Sequence, residues 1–212
     1  MVTQLNRIRA PKGPQALTLT LLWAGGCLLL GIALGIFSKW LDNMAIDDTI
    51  WWQHLLGVLD LRNVFSWFSI WFLIALAIAV CSPGPLRAAR NVFLFFAGMC
   101  VSYHWYTVVF SGFNPQRYMM IWYALTLLSP LFALVCWYGK GQGLPALVVD
   151  WLILGAMVTV CFAVGPWYLY PRSVLDTLFF VLSVLVLYTS PRQTALALLG
   201  GVVLALLVPF VY

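Results

Sequence analysis

Residues 16–37 form a run of 22 positions without a charged side chain, and this run limits what the chain can fold into more than any other feature. At 1.5 Å per residue, a helix of that length reaches about 33 Å, enough to cross the ~30 Å hydrocarbon core of a bilayer. The remainder of the chain agrees, with 64% of its 212 residues hydrophobic and 8% charged, where soluble domains carry about 25% charged residues. Too few polar side chains remain to cover a water-facing surface, so lipid is the solvent. The same composition excludes a disordered chain, which needs low hydrophobicity and high charge. It also argues against nucleic acid as a partner, because the net charge of +5 rests on 11 scattered lysines and arginines rather than on a basic run.

Hydropathy and breaker residues divide the chain into seven apolar segments, near 16–37, 64–81, 91–111, 119–138, 146–165, 173–189 and 194–211. The expected fold is an all-α, polytopic transmembrane helical bundle of seven spans. Six is the alternative, if the two short C-terminal segments form a hairpin that does not fully cross. A basic cytoplasmic arm over 1–15, with Arg7, Arg9 and Lys12, precedes a single helical domain over 16–212. The first apolar run exceeds the roughly 7–15 residues of a signal-peptide core and no A-x-A-like site follows it, which reads as a retained span.

Orientation follows from the basic residues. A cytoplasmic N-terminus places Arg7, Arg9, Lys12, Arg87, Arg90, Lys140 and Arg192 inside and Lys39, Arg62, Arg117 and Arg172 outside, the sense favoured by the positive-inside rule. Asp42, Asp47, Asp48, Asp60 and Asp176 then all fall outside. The expected location is the bacterial cell membrane. In the long connection 38–63, Asp47 and Asp48 offer an N-cap. Trp51, Leu55, Val58 and Leu59 follow at helical spacing, which predicts an outer interfacial helix over about 48–60 with Trp51 and Trp52 at headgroup depth.

The densest polar and aromatic content lies at the outer end of the third and fourth segments. Tyr103, His104, Arg117, Tyr118, Trp122 and Tyr123 read as an aromatic-lined ligand site in which Arg117 fixes an anionic group and the rings hold an apolar body. Asn114 and Gln116 lie in the adjacent loop, and Trp167, Tyr168, Tyr170 and Arg172 are expected at the same depth. The alternative is an interfacial aromatic belt without a ligand.

Small residues recur every fourth position at Cys27, Gly31 and Gly35 and again at Ala197, Gly201 and Ala205. Such stripes let helices approach closely, either within the bundle or against a partner subunit. Asp150 is the one carboxylate inside an apolar run; it reads as a coupling group or as a partner of Lys140 or Arg192. Lys39 and Asp42, three residues apart, are expected to pair.

The five cysteines stand singly in apolar runs and read as buried packers. Two isolated histidines, His54 and His104, give no metal-ligand pattern. Motifs for nucleophilic or metal-assisted hydrolysis and for phosphate binding do not occur in the chain. The expectation is a non-enzymatic protein without cofactor or metal.

Three stretches carry a resemblance: Gly31-x-x-x-Gly35-x-x-Ser38-Lys39-Trp40-Leu41-Asp42; Asn91-Val92-Phe93-Leu94-Phe95-Phe96-x-Gly98-Met99 with Ser102-Tyr103; and Ser129-Pro130 followed by Trp137-Tyr138-Gly139-Lys140-Gly141. Over residues 28–143 the chain resembles small polytopic membrane proteins of similar length from gut Firmicutes, a family without an assigned activity. More weakly, it is similar to the substrate-binding membrane subunits of energy-coupling-factor vitamin importers. That likeness implies a cytoplasmic N-terminus and an outward aromatic pocket, but six spans instead of seven. The function these readings favour is small-molecule recognition or transport. The alternative is a non-catalytic membrane partner, such as an assembly or immunity subunit, docking through the glycine stripes.

Overall fold

The computed structural model describes residues 2–13, 15–45 and 49–210. Among them the helices are α1 Val2–Ile8, α2 Leu17–Asn43, α3 Trp51–Val58, α4 Leu61–Val64, α5 Phe68–Cys81, α6 Pro85–Phe110, α7 Gln116–Gly139 and α8 Gly143–Cys161. Strands β1 Phe162–Gly165 and β2 Tyr168–Pro171 follow, then α9 Val174–Leu187 and α10 Pro191–Leu207. Five helices, α2, α6, α7, α8 and α10, are long and apolar enough to cross a membrane. The result is an all-α architecture of the multi-pass membrane kind, with apolar helix surface facing lipid. Helices α5 and α9 are apolar but only 14 residues long, about 21 Å each.

Two sequence expectations need correcting. The fifth apolar segment is not helical to residue 165: α8 ends at Cys161, and Phe162–Gly165 pairs antiparallel with Tyr168–Pro171. Phe162 and Val164 are apolar and also strand formers, so hydropathy does not separate the two states, while Gly165-Pro166 turns the chain back. The outer helix is shorter than 48–60. It runs from Trp51 to Val58, and Asp60, at φ 51°, starts the separate turn α4. Asn63 Nδ2 donates to Asp60 Oδ1 at 2.8 Å and steadies that left-handed residue. The expected Asp47–Asp48 cap lies outside the described residues.

The chain divides into two compact units. One comprises residues 1–13, 68–88 and 133–212, and the other 14–67 and 89–132.

In the first unit, α8 and α10 run parallel. Asp150 lies level with Gln193, Trp151 Nε1 donates to Leu196 O at 2.9 Å, and Gly155 faces Gly201. Helix α9, which lies between them in sequence, runs in the opposite direction. Its start is tied through Asp176 to Ser69 at the start of α5, and its last residue, Leu187, lies beside Gly139 at the end of α7. Leu76, Val80, Ile153, Leu154, Leu187 and Ala197 form the core.

At the α5 and α7 C-termini the basic arm is packed in place. Arg9 donates to Trp137 O at 2.5 Å and to Val80 O at 2.8 Å, and its guanidinium lies 4.3 Å from the Trp137 ring centroid. A cation is well suited to carbonyls left open at helix C-termini. Partial burial lowers the pKa of this guanidinium from its ordinary value, against an opposing effect of Cys81. Trp137 Nε1 in turn donates to Ser82 O at 2.8 Å, while Gln142 N–H and Lys12 N–H donate to Ile8 O and Pro83 O.

In the second unit α2 and α6 are parallel and α7 is antiparallel to α6. Arg90 donates to Thr20 O at one end, and Asn43 Nδ2 donates to Ser111 Oγ at the other. Gly31 and Gly35 make the close approach possible, because a Cβ on either would collide with the backbone of Phe95 or Met99. From the opposite side Gly98 does the same against Leu28 O. Ser102 Oγ donates across to Ile32 O at 3.1 Å, the helix-to-helix bond that such small-residue contacts permit.

Candidate functional site

The polar end of the second unit grows from the antiparallel pairing of α6 and α7. His104 and Tyr123 face one another, with Nδ1 and the phenol oxygen 2.7 Å apart. His104 Nε2 is 2.8 Å from Asn114 Oδ1. An amide oxygen only accepts, so Nε2 carries a proton and donates to Asn114 Oδ1, while Nδ1 shares a hydrogen bond with the Tyr123 hydroxyl. The imidazole is thus held at both nitrogens, by a partner on α7 and one in the α6–α7 loop.

Alongside, the Tyr103 and Tyr118 rings lie 6.4 Å apart, and Tyr118 and Trp122 6.3 Å apart. Thr107 Oγ1 donates to Tyr103 O and Thr126 Oγ1 to Trp122 O, so these hydroxyls serve the helix backbone. Cys100 Sγ meets Thr126 Oγ1 at 3.2 Å beneath the cluster.

Lys39, outside the set of residues that the sequence marked for the site, is central to it. It is only 5% exposed, bonds Asp42 at 2.5 Å, and places Nζ 5.7 Å from the Tyr103 ring and 5.4 Å from that of Phe113. The Lys39–Asp42 spacing announces the ion pair but not the rings of α6 and its following loop that enclose it. Arg117 behaves differently, with an exposed side chain in the first turn of α7. Tyr103, His104, Tyr118, Trp122 and Tyr123 therefore gather around two polar centres, Lys39–Asp42 and His104. The aromatic residues Trp167, Tyr168 and Tyr170 belong to the other unit, on the β-hairpin, where Trp167 is 93% exposed at the tip.

The glycine stripes are filled from within the chain. Gly31 and Gly35 are covered by α6. Gly201 packs on Leu154 and Gly155, with Ala197 and Ala205 buried along the same face of α10.

Asp150 does not reach Lys140 or Arg192. Lys140 Nζ donates instead to Val186 O, and the Arg192 side chain is exposed. The partner of Asp150 is Gln193 Nε2, 3.3 Å from Oδ2, while Oδ1 has no partner among the described residues. Among the cysteines, Cys27, Cys100 and Cys161 are buried as expected, but Cys81 is exposed at the end of α5. Among the described residues no three His, Cys or Asp side chains gather as a metal site requires.

No family model, curated protein or solved structure matches this chain.

Proposed function

We propose that this is a seven-span membrane protein with a cytoplasmic N-terminus that recognises or passes a small molecule at the α6–α7 cluster. Seven crossings are supported by helix direction inside the first unit. Parallel α8 and α10 require the chain between them to return, and α9 is the only described apolar helix there. Helix α5 runs beside α9 in the same sense, tied through Ser69 and Asp176. Orientation is supported by charge in the same unit. Arg7, Arg9, Lys12, Arg87, Lys140 and Arg192 belong to the end holding the α5 and α7 C-termini, whereas Arg172 lies at the hairpin end. Positive-inside placement makes the first end cytoplasmic.

The observation that carries the binding reading is the His104 arrangement. A ring held at both nitrogens beside Tyr103, Tyr118 and Trp122, with a buried ammonium next to Tyr103, combines apolar ring surface with a few oriented polar groups. The ligand class that suits it has a planar apolar body and one anionic group, reached by Arg117 at the rim.

Thermal stabilisation of the purified protein by a metabolite panel tests this reading. A stabilising compound should lose its effect in Tyr103→Ala and Tyr123→Phe and weaken in Arg117→Ala. Absence of any stabilising compound, together with co-purification of a second membrane protein, would instead point to a partner subunit.

A further inference from the structure

Asp150 is 2% exposed, in the second turn of α8, and its carboxyl is only half satisfied. Oδ2 receives one long bond from Gln193 Nε2, which also reaches Gly141 O at 3.3 Å, and Oδ1 receives none among the described residues. The groups around it are defined element by element. Helix α7 presents Gly139, whose bare Cα lets Oδ1 sit so close that a Cβ there would be 2.7 Å away, with Ile153 of α8 and Leu187 of α9 on either side. Helix α10 presents Gln193 and Thr194, and Thr194 Oγ1 is likewise buried without a partner among the described residues. The basic residues of this end are engaged elsewhere or face outward: Arg9 holds Val80 O and Trp137 O, Lys140 holds Val186 O, and Arg7, Lys12, Arg87 and Arg192 are not buried. A bare carboxylate here, with one buried oxygen that meets no protein donor and no cation among the described residues, is costly.

We propose that Asp150 is a proton-binding site, its carboxyl holding an exchangeable proton at neutral pH. A hard metal cation is a poorer occupant, because it needs about six oxygen ligands and Gln193 turns its amide N–H, not its oxygen, toward the carboxylate. A proton needs one oxygen and turns Oδ1 into a donor.

The chain favours a direct test, because its acidic side chains are six aspartates with no glutamate. Infrared difference spectra of the full chain in lipid, titrated with base, should show a protonated-carboxyl C=O band at neutral pH that disappears at high pH. Asp150→Asn, which keeps an oxygen facing Gln193, should lack that band entirely. Gln193→Ala removes the donor that favours the anion and should raise the midpoint of the band's loss by about one pH unit, a tenfold gain in proton affinity. It provides the reading if Asp150→Asn does not fold. A neutral-pH spectrum without the band, its persistence in Asp150→Asn, an unmoved midpoint in Gln193→Ala, or its removal by sodium at constant pH would each overturn the proposal.

Discussion

Two buried aspartates of the same unit are held in opposite ways, Asp176 at the hairpin end and Asp150 at the end packed by the basic arm. Asp176 accepts from Ser69 Oγ at 2.6 Å and from Ser173 Oγ at 3.0 Å, while its own N–H donates to Ser173 Oγ. It also lies in the first turn of α9, where the helix dipole favours negative charge. Asp150 has one long amide contact and an open oxygen. Burial alone therefore says little about what a carboxylate does in lipid. The number of donors aimed at it separates a structural clamp from a group able to change state.

Three substitutions sharpen this contrast. The largest effect is expected for Asp176→Ala, which strands two hydroxyls and removes the tie between α5 and α9. It should cost about 3 kcal/mol, read as a fall in the denaturation midpoint in detergent. If Asp176→Ala cost no more than Asp150→Asn, the contrast would fail. Arg9→Lys comes next. An ammonium cannot reproduce the fork that reaches Val80 O and Trp137 O together, and about 1–2 kcal/mol should be lost. The check is limited proteolysis, with faster cleavage in the arm than in wild type. Smallest is Ser69→Ala, expected to cost about 1 kcal/mol. A double-mutant cycle with Asp176→Asn should then show coupling between the two positions.

The apolar segments were legible because each is long or bounded by Pro and Gly. Gly31 and Gly35 announced a close helix contact, though not that α6 fills it. The hairpin was not legible, since Phe162, Ala163 and Val164 extend the hydropathy of α8 without a break. Asp176 had a local signal in Ser173-x-x-Asp176, a capping pattern. Its more informative partner, Ser69, is 107 residues away and leaves no trace in spacing. In the α6–α7 cluster, Tyr103, His104, Tyr118, Trp122 and Tyr123 were legible by depth and helical register. The enclosure of Lys39 by Tyr103 and Phe113 was not, because it depends on where the chain turns after α6. Arg117 carried the right charge in the right stretch, yet its place in the first turn of α7 leaves it outward.

The clamp made by Arg9 also has a consequence for the order in which the molecule is built. Arg9 is synthesised well before its partners, since one of the carbonyls it holds belongs to Trp137, and Gln142, which binds the neighbouring Ile8 carbonyl, comes later still. The unit made of 14–67 and 89–132 has all its residues synthesised before either exists. The arm must therefore wait for its full set of partners while the residues between Arg9 and Trp137 are made, and its capture by α7 closes the first unit after the second has all its residues.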